Sequence, residues 1–389
     1  MCWNLLNYPA TGASTSADTA LRHPFYRAVI QYAVPDILVT EENTFSTGTT
    51  WFLNSVMNAN GNVYSKGTFI DGWDTNNEIY FKTASFTFVS NTPIRTDVRD
   101  ISEFKLVHLL TGDTIRIYAV HLKASSGNPN DLQRADEVDS LRKVTNLLPP
   151  GSNFIVCGDF NIYGDYEPAY QKLLQNNLND DGNFIDPITM TGVWHNYFYR
   201  SYHTQSTRTT SFGGGATGGL NDRFDMILFS TAIQQNTSGI SYVASSTIPV
   251  GNDGNHYNDD INLMPNSAAP SIVINALYNA SDHLPVFAQF NFSQPNGIAS
   301  LEKNSFHFSV FPNPASDKFM VAFELHKTQK IMLKVIDILG KEVLLIEDAE
   351  LPSGEYQYPV KKNLAVGIYL TRLMTGETEL VQKLIILDN

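Results

Sequence analysis

Six stretches of this chain place a polar, ligand-type residue where an apolar run begins or ends. Cys2-Trp3-Asn4 opens the chain, Ile37-Leu38-Val39-Thr40 runs into Glu41-Glu42, and Tyr118-Ala119-Val120 ends on His121. Ile155-Val156-Cys157-Gly158 leads into Asp159-Phe160-Asn161, and Asp225 stands at the entrance of Met226-Ile227-Leu228. Last, Ser281-Asp282-His283 precedes the alternating run Leu284-Pro285-Val286-Phe287-Ala288-Gln289-Phe290. Buried strands read as short β-branched or aromatic runs whose ends open into loops. Asn, Glu, His, Asp/Asn, Asp and Asp-His at successive strand ends are therefore expected to meet at one rim of a sheet. Carboxylates there suit a hard divalent cation. An imidazole supported by a carboxylate suits proton transfer near neutral pH.

The intervening sequence supplies the elements. Pro24 to Tyr32 puts Phe25, Ala28, Val29 and Tyr32 on one helical face, with proline tolerated in a first turn. Asp131 is expected to cap a helix carrying Leu132, Ala135, Val138, Leu141 and Val144, closed by Pro149-Pro150-Gly151. A third helix is expected from about Pro168 to Asn176. Strands are expected at 79–89, 104–110 and 114–122, the last alternating as half-buried sheet does. Residues 231–280 read as a long inserted segment in which substrate preference can reside.

At 389 residues the chain is too long for one ordinary core, and 42% hydrophobic with 17% charged residues marks it as globular. A net charge of −13 argues against a strong non-specific surface for polyanions. It leaves a phosphate substrate open, because bound cations reverse the local field. Cys2 and Cys157 provide no disulfide framework and read as free core thiols. No run reaches the ~18–20 apolar residues of a membrane-spanning helix. There is no charged-then-apolar leader, and a chain starting inside a strand reads as truncated or processed.

Polar residues 293–304 read as a linker, so domains are expected at 1–292 and 305–389. Beyond the linker helical signals stop. Short strands at even spacing, separated by turns such as Leu339-Gly340-Lys341, predict a small β-sandwich.

In their order, Trp3-Asn4, Glu41-Glu42, His121, Gly158-Asp159-Phe160-Asn161, Asp225 and Ser281-Asp282-His283 resemble the endonuclease/exonuclease/phosphatase superfamily. The resemblance covers nearly all of residues 1–292 and implies an α+β fold, the four-layer αββα sandwich of deoxyribonuclease I-like proteins. It also implies phosphate-ester cleavage with a divalent metal: magnesium, or manganese or calcium in its place. By the same resemblance Glu42 and Asp282 bind the metal, and Asn4 lies near metal and phosphate. Asp159 and Asn161 hold the attacking water and a phosphoryl oxygen. Asp225 orients His283, which faces the phosphate. His121 matches a second histidine, with Glu78 as its partner and Arg99 as a phosphate contact. Glu41 stands where the family usually has Gln, and Asn7 lies close to where some relatives carry a metal-shell acid.

Two further stretches are weighed and set aside. Gly213 to Gly219 is glycine-rich but lacks the Lys-Ser/Thr and following helix of a phosphate-binding loop. Asn252-Asp253-Gly254-Asn255, with Asp259 and Asp260, does not fit the EF-hand spacing.

The C-terminal region resembles the sorting domain of the type IX secretion system of Bacteroidetes. The resemblance is carried by Val310-Phe311-Pro312-Asn313-Pro314-Ala315, Val335 to Lys341, Gly367-Ile368-Tyr369 and Val381 to Ile386. It implies engagement of that machinery and a secreted or cell-surface location; an adhesive or carbohydrate-binding β-sandwich is the alternative. The leading expectation is a secreted metal-dependent phosphodiesterase acting on nucleic acid. A phospholipid or sphingomyelin phosphodiesterase, a phosphomonoesterase and a non-catalytic surface protein are the other readings. Oligomeric state is left open.

Overall fold

The computed structural model describes residues 1–9, 16–177, 181–211, 215–293, 308–316, 318–325, 327–337, 340–362, 364–375 and 379–387. The chain divides into two compact units, Met1–Gln294 and Pro295–Asn389. Most of the expected linker, from residue 294 on, lies outside the described residues.

Two six-stranded sheets form the centre of the first unit. One runs in the order β12 (Ile248–Pro249), β13 (Val286–Phe287), β1 (Cys2–Tyr8), β2 (Ile37–Asn43), β4 (Asn76–Lys82), β3 (Tyr64–Lys66). The other runs β5 (Phe86–Ile94), β6 (Ile101–His108), β7 (Thr114–His121), β8 (Phe154–Asp159), β10 (Asp225–Ser230), β9 (Phe184–Ile185). β1 and β2 are parallel, as are β7 and β8; the other pairings are antiparallel. A separate ribbon pairs β11 (Ile240–Tyr242) with β14 (Phe290–Phe292).

Period-2 alternation explains the layering. In β7, Ile115, Ile117 and Ala119 enter the core between the sheets, where Ile155 and Cys157 of β8 and Val39 and Ile79 of the opposite sheet meet them. Tyr118 and Val120 face the other way, against Ala135, Val138 and Leu141 of α3 (Asn128–Thr145) and Leu173 of α4 (Pro168–Leu174). On the far side, Leu5, Leu38 and Tyr80 pack against Tyr26 and Val29 of α1 (Ser16–Ala33), and Val273 and Leu277 of α6 (Ser271–Ala280) belong to the same core. The unit is a four-layer αββα sandwich. The other α-helices of the described residues are α2 (Ser46–Phe52), continued by a π-helical turn at Leu53–Met57, and α5 (Thr231–Gln235); a 3-10 helix spans Tyr197–Tyr202.

Two expectations need correction. Asp131 does not cap its helix: Gly127 is the N-cap, and Asp131 sits in the first turn paired with Arg134 at 2.7 Å. Residues 231–280 are not one loop. They contain α5, β11, β12 and α6, the last burying Val273, Ile274 and Leu277.

In the second unit the elements among the described residues are all β-strands. β15 (Phe308–Phe311), β16 (Lys318–Leu325) and β19 (Gly354–Lys361) form one sheet, and β18 (Glu342–Leu351), β17 (Gln329–Asp337), β20 (Gly367–Thr375) and β21 (Glu379–Ile386) the other. Phe319, Val321, Phe323, Leu333, Val335 and Leu373 lie in its own core. Among the described residues, no helix of the chain is long and apolar enough to cross a membrane.

Candidate active site

Register brings the six motifs to one rim. Asn4 lies opposite Glu41 across the parallel pair β1–β2, and His121 opposite Asp159 across β7–β8. β10 runs the other way, so its first residue, Asp225, pairs with Asp159. β13 is antiparallel to β1, and His283 precedes it, with the Trp3 indole donating to the His283 carbonyl at 2.9 Å. The Ser281 hydroxyl donates to the Asn4 carbonyl at 2.6 Å, fixing the Asp-His dipeptide to the first strand.

The backbone is unusual at this rim. Glu42 and Asn161 have φ of 59° and 53°, and Leu6 and Asn7 have 53° and 48°. Non-glycine residues with positive φ are costly and gather where the surrounding structure fixes them. At Glu42 the turn breaks the pleat: Glu41 stays directed between the sheets while Glu42 reaches the first strand. Asn4 Nδ2 donates to Glu42 Oε1 at 2.9 Å and to Asp159 Oδ2 at 3.2 Å, and the Asn7 amide donates to Glu42 Oε2 at 2.7 Å. Asn4 thus ties two carboxylates from opposite sheets.

The two histidines flank Asp159. His121 Nε2 lies 3.6 Å and His283 Nε2 3.7 Å from Asp159 Oδ2. Asp225 Oδ2 accepts from His283 Nδ1 at 2.8 Å, which fixes the ring and directs Nε2 toward the site. Arg223 does not compete for Asp225. It makes a buried two-pronged pair with Asp186, 2.9 Å on each arm.

Electrostatics separates the histidines. Burial pulls His283 down, but the carboxylates of Asp225, Asp159 and Asp282 outweigh it and hold the imidazole well above its usual range. Burial and the nearby Arg99 and His283 charges hold His121 well below that range. Burial pushes Asp159 up to about 7, the Asp225 and Glu42 charges adding to it and His283 and Asn4 opposing it. One charged and one neutral imidazole beside a readily protonated carboxyl form an acid–base set.

Asp282 has Oδ2 held by the Ala216 amide at 2.6 Å, while Oδ1 has no protein partner. Glu42 is pushed up first by burial and then by the Asp282 charge. Two neighbouring carboxylates, one with an unpartnered oxygen, fit a magnesium-sized cation, which takes one or two carboxylates and keeps waters for substrate to displace. Among the described residues no group of three His, Cys, Asp or Glu side chains forms a closed metal cage.

The pairing of Glu78 with His121 is not observed. Strand alternation turns Glu78 outward with Tyr80, while Asn77, Ile79 and Phe81 face the second sheet. There Glu78 pairs with Lys66 at 2.8 Å and accepts from the Ile79 amide. His121 Nδ1 has no protein partner. Asn77 occupies the inward position, donating to the Ala119 carbonyl at 3.0 Å. Arg99 does reach the rim: it pairs with Asp74 at 2.9 Å and donates to the carbonyls of His121 and Leu122, 3.3 Å each. Asn161 donates to the Leu122 carbonyl at 3.2 Å, and its own amide donates to Asp159 Oδ1 at 3.1 Å.

Gln205 had no sequence signal and sits within the set. Its side-chain amide meets His283 Nε2 at 2.5 Å, and its backbone bridges both His283 and Asp222. A lone Gln in a long polar loop has no periodicity to mark it. Glu41 is fully buried with neither oxygen partnered by protein, and burial drives its carboxyl well above the usual range. A cavity of about 570 Å³ lies elsewhere, lined by Ile115, Ile155, Ile227 and Phe292, and contains none of the expected site residues.

Comparison with known proteins shows two family matches. The model of the Endonuclease/Exonuclease/phosphatase family matches residues 1–283. The model of the secretion system C-terminal sorting domain matches residues 309–387. No curated protein matches. Among solved structures, an endonuclease/exonuclease/phosphatase family protein from Bacteroides thetaiotaomicron is 17% identical, with TM-score 0.46, covering 75% of this chain and 96% of its own. The human Nocturnin catalytic domain with bound sulfate is 18% identical, with TM-score 0.46, covering 75% and 93%. A mannosyl-6-phosphatase from the same Bacteroides species is 18% identical, with TM-score 0.45, covering 75% and 98%.

Proposed function

Because the chain belongs to the endonuclease/exonuclease/phosphatase family of phosphoric ester hydrolases, we propose that it is a secreted, divalent-metal-dependent phosphodiesterase acting on nucleic acid outside the cell. The observation that carries the reading is the convergence on Asp159: two imidazoles within 3.7 Å of one carboxylate oxygen, itself bonded to Asn4.

In this reading Glu42 and Asp282 hold magnesium, with manganese or calcium as substitutes. The cation would neutralise phosphate charge, without which a diester anion resists attack. Asp159 orients the attacking water and accepts its proton. Asn161 donates to a phosphoryl oxygen. Charged His283, held by Asp225, faces the phosphate and stabilises charge that grows on its oxygens; as the water oxygen bonds to phosphorus the P–O bond to the leaving oxygen breaks, and that oxygen takes a proton from histidine or would have its charge held by the cation. Neutral His121 adds a second contact to the same group. The sorting domain addresses the protein to the type IX secretion machinery.

The lipid reading is the weaker one. Of Trp51, Phe52 and Trp194, the aromatic residues from which a membrane-facing tip could be built, Phe52 and Trp194 are fully buried. The test is hydrolysis of DNA, RNA, bis-p-nitrophenyl phosphate and sphingomyelin, with magnesium and with chelator. The expected outcome is cleavage of the first three, abolished by chelator and restored by magnesium. Activity indifferent to chelator would overturn metal dependence, and turnover of sphingomyelin alone would overturn the nucleic-acid assignment.

A further inference from the structure

Two exposed aromatic groups border the catalytic rim, and neither takes part in the acid–base set. On one flank Trp73 is 76% exposed. Its neighbour Asp74 pairs with Arg99, and Arg99 donates to the carbonyls of His121 and Leu122. These bonds tie residue 74, in the loop that leads into β4, to the end of β7, where His121 lies, and Trp73 is its neighbour in that loop. On the other flank a 3-10 helix, Tyr197–Tyr202, presents Tyr197 and Phe198, 58% and 85% exposed. Tyr202 is three residues before Gln205, at most about 11 Å along the chain, and Gln205 touches His283.

The second flank is rigidly built. The Arg200 guanidinium lies 4.2 Å from the Tyr197 ring centroid, and Tyr257 meets Tyr197 edge-on at 5.7 Å. Asn196 caps the turn by accepting from the Phe198 amide, and His195 bonds Asp222, which bridges to Gln205. Sheet order puts the flanks on opposite sides: β4 and β13 lie on either side of the β1–β2 pair, and β6 and β10 on either side of β7–β8.

We propose that Trp73 and the Tyr197–Phe198 pair are base-stacking platforms on the two sides of the reacting phosphate, and that the preferred substrate is single-stranded nucleic acid. This rests on the phosphodiesterase reading above. Stacking is sequence-tolerant because every base has a π-face, and it needs bases free of a duplex. Cationic phosphate contacts support duplex and single strand alike, so where they are few the stacking of unpaired bases decides between the two. This chain carries a net charge of −13, and its rim arginine Arg99 is paired with Asp74. An anionic bilayer is disfavoured by the same charge and by Asp71 and Asp74 around Trp73.

The test uses the full chain with magnesium and compares kcat/KM for a short single-stranded oligodeoxynucleotide, its blunt duplex, sphingomyelin vesicles and bis-p-nitrophenyl phosphate. Trp73→Ala and Phe198→Ala are compared with wild type, and exposed, remote Leu147→Ala is the control for loss of surface apolar area. The expected result is preference for the single strand, and a KM for it that rises about fivefold or more in each rim variant relative to bis-p-nitrophenyl phosphate. Leu147→Ala leaves both substrates unchanged. Equal cleavage of single strand and duplex, an unchanged KM ratio, or a loss confined to vesicles would each overturn the proposal while leaving the hydrolase standing. Failure of wild type to cleave bis-p-nitrophenyl phosphate would overturn the phosphodiesterase reading itself.

Discussion

In the proposed mechanism His283 and Asp225 work as a unit, and the unit is testable. The 2.8 Å bond to Nδ1 supplies both orientation and charge to the ring. General acid–base groups contribute roughly 10²–10⁴-fold to rate. His283→Ala and Asp159→Ala are therefore each expected to lower kcat on bis-p-nitrophenyl phosphate by about 10²-fold or more, with an unchanged far-ultraviolet circular dichroism spectrum. Near-wild-type turnover in either variant would remove that residue from the mechanism. Glu41 makes a different prediction. A carboxyl whose folded-state pKa is raised contributes stability below its unfolded value of 4.5 and loses it as pH rises through the folded value. Glu41→Gln, which cannot ionise, should match wild type near pH 4. Above that its advantage should grow by up to about 1.4 kcal/mol per pH unit, as thermal melts would record. A melting temperature no higher than wild type at neutral pH would show that Glu41 has a partner when folded.

At the scale of elements, the strands that carry the site were legible because each has a polar, ligand-type residue where its buried run begins or ends. Phe154 to Asp159 is the clearest case, six residues buried throughout. Parity was not legible for Glu78. A sequence shows a carboxylate in a strand, but the face it takes depends on register, and here register gives the inward place to Asn77. The helix Ser271–Ala280 was missed because it lies in a polar insertion with no capping residue; Pro270 holds that place. Its apolar stripe, Val273, Ile274 and Leu277, carried the signal. Gly158 is a position where the fold demands one residue. At φ 129° a Cβ would lie 2.2 Å from the Val120 carbonyl oxygen and 2.8 Å from Glu41 Oε1. Gly158→Ala is expected to destabilise the first unit by about 3 kcal/mol or more, a strain cost at a special backbone geometry. Chemical denaturation should show it, and a loss under about 1 kcal/mol would mean that β7 can retreat at little cost.

At the scale of the whole molecule, chemistry and address are segregated. Every site residue lies within Met1–Gln294, which contains the three cores of the sandwich. The sorting domain has a core of its own, built from Phe319, Val321, Leu333 and Leu373 among others. A unit with its own core can fold alone. Among the described residues nothing in the catalytic set draws on a side chain beyond residue 283, so ending the chain after Gln294 should leave kcat and KM for bis-p-nitrophenyl phosphate within about twofold of the full chain, a change of less than about 0.5 kcal/mol. The same truncation should abolish export in a host with the matching secretion machinery while leaving intracellular activity intact. A truncated protein that is soluble and folded yet inactive would show that the second unit contributes to catalysis, and one that is still exported would take the address away from it.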